Sequence, residues 1–178
     1  ARLRRLQAEV LVDAIFQATA NDDRNRDFLD NTNQRKITLH PGNLSPSSLG
    51  YALAIFGKPT RSVNCDCERS TQPTLLQSLY VKNDKEMLDQ IERKDGWLAG
   101  IARQLGEELK SETGKGIIVP ANLDIPDEKK PASEKIVSQA FLRTLSRLPT
   151  DEELDRGVAH LSVCESTVEG TRELIWAL

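Results

Sequence analysis

The sequence predicts an all-α fold, an irregular multi-helix bundle with long loops. Apolar residues recur at spacings of three and four along most of the chain, which is the signature of amphipathic helices. Gly, Pro and Asn clusters punctuate those stretches, and no segment shows internal repetition. Thr150-Asp151-Glu152-Glu153 forms a capping-box pattern, in which Thr150 accepts from the third backbone amide and Glu153 reaches back.

Residues 2–19 read as the first helix, with Leu3, Leu6, Val10, Ala14 and Ala18 on one stripe and Leu11 and Ile15 widening it. Arg4, Arg5, Glu9 and Asp13 form the opposite, polar face. Residues 21–33 are dense in Asp, Asn and Arg and read as a loop. After the turn signals His40-Pro41-Gly42-Asn43 and Ser45-Pro46, Ser47 can cap a short helix to Ile55, with Leu49, Ala52, Leu53 and Phe56 on one side. Gly57 and Pro59 end it.

Thr71-Gln72-Pro73 opens a further helix with Leu75, Leu76, Leu79 and Tyr80. Asn83-Asp84-Lys85-Glu86 reads as a cap before Met87, Leu88 and Ile91. Beyond Gly96, the residues Trp97, Leu98, Ile101, Leu105 and Leu109 keep helical spacing. Gly114 to Pro131, with two glycines and three prolines, has no periodicity beyond a short extended candidate at Ile117-Ile118-Val119. A segment of this length belongs on the surface, so residues 113–132 are expected to be an internal loop. Ser133 starts a helix carrying Ile136, Val137, Ala140, Phe141, Leu145 and Leu148, which Pro149 stops. Leu154, Val158 and Leu161 follow the capping box, and 167–178 reads as a last amphipathic helix. Trp97 and Trp176 fit core positions rather than stacking platforms.

The chain has 178 residues, 38 % hydrophobic and 29 % charged, with a formal net charge of -3. That is the size of a single domain, long enough to bury about 70 % of the unfolded chain's surface. Basic and acidic residues are interleaved, so the clustered cationic footprint of a nucleic-acid module is missing. No apolar run approaches the roughly eighteen residues of a membrane span, and no secretory signal is visible in these residues. The sequence starts and stops within helical patterns, which reads as a C-terminally truncated piece of a larger multidomain protein.

Residues 56–69 concentrate two cysteines, two acids and three cations in a segment too punctuated to be one regular element. Lys58, Arg61, Cys65, Cys67, Glu68 and Arg69 are therefore the candidate residues for ligand or interdomain binding. The Arg69 fork can stitch loop carbonyls together or hold a carboxylate or sulfate. Cys65 and Cys67 are too close to bridge comfortably, while either can reach Cys164 and leave one thiol over. They are weak metal candidates, half a soft site at most, which Cys164 with His40 or His160 could complete in space. No metal is assigned to this domain. There is no Cys-x-x-Cys-His haem attachment motif, and Gly114-x-Gly116 lacks the context of a phosphate loop. No catalytic residue is legible, and the balance for the isolated domain lies against an enzyme.

Several blocks carry a family resemblance. Arg4-Arg5-Leu6-x-Ala8-Glu9-x-Leu11-x-Asp13-Ala14, Phe56-Gly57-Lys58-Pro59-x-Arg61, Cys65-x-Cys67-Glu68-Arg69, Gln77-x-Leu79 and Ser146-Arg147-x-Pro149-Thr150-x-x-Glu153 occur in order along nearly the whole chain. Together they resemble a planctomycete C-terminal domain of unknown function found in large cytochrome-c-associated proteins. The resemblance implies an exported parent, periplasmic or extracytoplasmic, with haem c on a separate N-terminal module and no cofactor in this domain. It implies other domains of the parent chain as partners, and by association polysaccharide. It supplies no catalytic residue. Two readings follow: an interdomain docking module, or a ligand-binding or catalytic site for complex carbohydrate or redox-linked work built on the Lys58–Arg69 loop.

Overall fold

A computed structural model describes residues 6–35, 48–58, 72–83, 85–109 and 131–178. Among these the fold is all-α, as the periodicity predicts. The helices are α1 (Ala8–Thr19), α2 (Asp22–Asp30), α3 (Ser48–Ile55), α4 (Leu75–Asn83), α5 (Lys85–Ile91), α6 (Trp97–Leu105), α7 (Ser133–Leu145), α8 (Asp151–Val163) and α9 (Thr167–Ala177). None is long and apolar enough to cross a membrane.

The larger of two hydrophobic clusters among the described residues is built from the end of α5 and from α6, α7, α8 and α9. Ile91, Leu98, Ile136, Val137 and Val168 are its best-buried large side chains. The helices α7, α8 and α9 pack on one another, and α6 closes against α9. The capping box forms as its sequence requires: Thr150 N donates to Glu153 Oε2 at 2.8 Å and Glu153 N donates to Thr150 Oγ1 at 3.3 Å. At the start of α9, Ser166 Oγ accepts from Glu169 N at 3.1 Å, and Glu107 Oε2 accepts from Val168 N at 2.9 Å. Two of the free amides of this helix end thereby find acceptors, one from the cap and one from a distant loop.

The second cluster joins α1, α3 and α4 through Ala8, Val12, Ala52, Leu53, Phe56 and Tyr80. Gly57, at φ 91°, turns the chain out of α3 in a conformation that suits glycine. An isolated antiparallel bridge, Ala20 to Gly96, ties the end of α1 to the entry of α6. A Cβ on Gly96 would fall 2.9 Å from the Arg93 carbonyl oxygen and 3.1 Å from that of Thr19, so the bridge needs glycine there.

Five expectations change. The 21–33 segment is largely helical. Asn21 caps α2 by accepting from Arg24 N at 2.8 Å, and the buried Phe28 ring packs 4.9 Å from Phe16. Glu9, assigned to a solvated face, is buried because the α1 stripe is rotated toward Ala8 and Val12. Leu145 and Leu148 are exposed, because Ser146 ends α7 in a left-handed conformation before Pro149 is reached. The leucines of α4 face outward. Trp176 is half-exposed rather than core, unlike Trp97, which is buried. Residues 113–130 of the expected loop lie outside the described residues.

Candidate functional site

Of the six residues singled out in the sequence, Lys58 is described; Arg61, Cys65, Cys67, Glu68 and Arg69 lie outside the described residues. Lys58 follows the Gly57 turn, its amide donating to the Leu53 carbonyl at 2.9 Å. Its side chain points inward, with Nζ 3.6 Å from Glu9 Oε1 and both side chains buried. Burying two charges is tolerable only when they are paired. Here the pairing fixes the end of α3 against the first turn of α1.

Beside this turn is a cavity of roughly 330 Å³. Phe16, Phe28, Phe56 and Tyr80 provide aromatic walls, and Arg24 and Arg93 add cationic groups. Both guanidinium groups lie over the Phe16 ring, at 5.3 and 5.5 Å. Both are also held by Asp95: Arg93 Nε donates to Oδ1 at 3.1 Å, and Arg24 pairs with Oδ2. Burial and the neighbouring Arg24 charge lower the Arg93 pKa from its usual value. An apolar pocket with a few fixed polar groups is the ordinary design of a small-molecule site. It carries no sequence signal, because two of its walls, Phe16 and Phe28, meet only once residues 22–30 are helical.

Charged and nucleophilic side chains also meet at the α8–α9 corner. His160 lies in the last turn of α8, Cys164 caps that helix, and Glu173 faces them from α9. The Cys164 thiol is free and donates to the His160 carbonyl at 3.2 Å. Burial comes first among the causes that raise its pKa, followed by the Glu173 carboxylate. The structure brings His160 and Cys164 together, as their four-residue spacing on a helix allows. Glu173 carries no sequence signal, because the return of α9 alone puts it there. Next to this corner is a cleft of roughly 570 Å³, bordered by His160, Glu173, Leu88, Arg172 and Trp176.

The family model for PSD1, protein of unknown function (DUF1553), matches residues 1–161. The chain belongs to this family. No curated protein and no solved structure matches it. The PSD1 match includes α1 to α7, the aromatic cavity and the Lys58 turn, and it reaches into α8. Cys164 and Glu173 lie beyond the matched residues.

Proposed function

We propose that this chain is a helical docking module that packs against other domains of a large exported parent protein. The observation that carries this reading is α4. Its inward side is consumed by Tyr80, buried against Phe56, and by Gln77, whose Nε2 donates to the Ile55 carbonyl at 2.9 Å. Its outward residues Leu75, Leu76 and Leu79 are 76 %, 57 % and 46 % exposed. Single exposed leucines are ordinary, but three within five residues of one helix form an apolar strip that favours coverage by a partner. Tyr51 on α3, its ring 6.3 Å from that of Tyr80, adds half-exposed aromatic surface nearby.

The partner, the periplasmic or extracytoplasmic location and the haem c on a separate module come from the family resemblance. Hydrogen exchange tests the reading by comparing the 178-residue chain with the full-length parent. The α4 amides should exchange more slowly in the parent, and Leu76→Glu should abolish the difference. Equal exchange in both proteins would remove the docking role.

The aromatic cavity favours a second reading, a small-ligand site. Its lining suits an apolar or aromatic molecule better than a polysaccharide, which needs exposed platforms and many hydroxyl partners. Binding of an environment-sensitive aromatic dye, lost on Ala52→Trp, would support it. Dye binding that survives the filled cavity would count against it.

A further inference from the structure

We propose that His160, Cys164 and Glu173 form a zinc-type metal site with an open fourth position. Three atoms of different chemistry converge there: His160 Nε2 lies 3.1 Å from Glu173 Oε2, and Cys164 Sγ lies 3.8 Å from each of them. Zinc bond lengths to sulfur, nitrogen and oxygen at a tetrahedral angle require ligand–ligand edges of about 3.4–3.6 Å. The observed triangle therefore closes around a zinc ion with movements of a few tenths of an ångström. The His160–Glu173 pair supplies two of the donors, and the thiol, held by the His160 carbonyl, stands within reach of both.

The donor set agrees with the geometry. Thiolate and imidazole favour zinc and similar transition metals over magnesium or calcium, which prefer oxygen. A thiolate and a carboxylate together neutralise a dication. As the sulfur–metal bond forms, the thiol proton leaves to solvent. Three protein ligands leave the fourth position to water, and the adjoining cleft gives it room. Such a vacancy is the arrangement of zinc sites that bind an exchangeable ligand.

The backbone holds the triangle in place. His160 and Cys164 are one helical turn apart, and the His160 carbonyl fixes the sulfur. A Cβ on Gly170 would fall 2.9 Å from Leu161 Cδ2 and 3.2 Å from Cys164 Sγ, so glycine permits the close approach of α9. Arg172, which borders the same cleft, has its charge paired with Glu92 and Glu169.

The test is cobalt(II) titration of the reduced chain carrying Cys65→Ser and Cys67→Ser, which leaves Cys164 as its one thiol. One equivalent of cobalt should bind with a thiolate-to-metal charge-transfer band, and zinc should displace it. Glu173→Gln should weaken binding by about tenfold or more, and Cys164→Ser should abolish the band. No band, or a band that survives Cys164→Ser, overturns the site in favour of a plain His160–Glu173 pair. A second measurement uses the unaltered chain. Zinc should slow alkylation of Cys164, followed by peptide mass spectrometry, and should do so less in His160→Ala. An alkylation rate indifferent to zinc also overturns the proposal.

Discussion

Arg143 lies over the indole of Trp97, 5.0 Å from guanidinium carbon to ring centroid, and so locks α7 to the start of α6. The same side chain donates from Nη1 to the Ala20 carbonyl at 2.9 Å and pairs with Asp22. One planar fork thus connects the core helices with the corner between α1 and α2. Lysine cannot replace it, because an ammonium has neither the flat face for stacking nor the divergent donors. Arg143→Lys should cost about 1–2 kcal/mol of stability, from the weakened stacking and one lost hydrogen bond. Urea denaturation would measure it, and a cost within experimental error would mean that the stacking is incidental.

The buried Glu9–Lys58 pair gives a prediction of a different kind. Removing Glu9 takes from the buried Lys58 ammonium the carboxylate 3.6 Å away, whereas replacing both takes the two charges out of the interior together. Glu9→Ala should destabilise the fold by about 3–5 kcal/mol, and Glu9→Met combined with Lys58→Met should recover most of that. A double variant as unstable as the sum of its parts would show that the pair serves a larger polar network.

These side chains show how far the sequence could be read. Where a helix buries a full stripe, spacing was enough: Trp97, Leu98, Ile101 and Leu105 are all buried in α6. Where local hydrogen bonds decide, the motif was enough, as at Thr150 and Glu153. The α2 helix was illegible because it buries one residue, Phe28, and depends on the Asn21 cap and on ion pairs to distant Asp95 and Arg143. Glu9 was misplaced because its partner lies far along the chain. The α8–α9 corner was half legible: His160 and Cys164 share a helical spacing, but Glu173 meets them only through the packing of α9.

The capping box predicts a pH dependence. Arg147 donates to both Glu153 carboxylate oxygens at 2.7 Å, and with the Thr150 amide it lowers the carboxyl from 4.5 to about 2. A depressed folded-state pKa contributes stability that is fully present above the unfolded value. The contribution should therefore hold above pH 4.5 and fade as pH falls toward 2. Carboxyl carbon NMR should place the Glu153 midpoint near 2 in the unaltered chain and clearly higher in Arg147→Ala. An unchanged midpoint would assign the shift to Thr150 alone.

Two glycines in helices should answer the same substitution with opposite signs. Gly157 in α8 faces α7 at close range: a Cβ there would fall 2.7 and 3.0 Å from the two Val137 methyl carbons. Val137 is fully buried and cannot swing away cheaply. Gly157→Ala gains about 1 kcal/mol of helix propensity but meets an overpacking cost of about 1–3 kcal/mol, so net destabilisation is expected. Val137→Ala should relieve the clash, making the double variant more stable than two additive losses would allow. Gly100 in α6 is the control, because a Cβ there has nothing within 4 Å. Gly100→Ala should stabilise the protein by about 0.4–1 kcal/mol. Thermal denaturation of the three single variants and the double variant separates the effects. If Gly157→Ala raised the melting temperature as Gly100→Ala should, the close contact of α7 and α8 would be wrong.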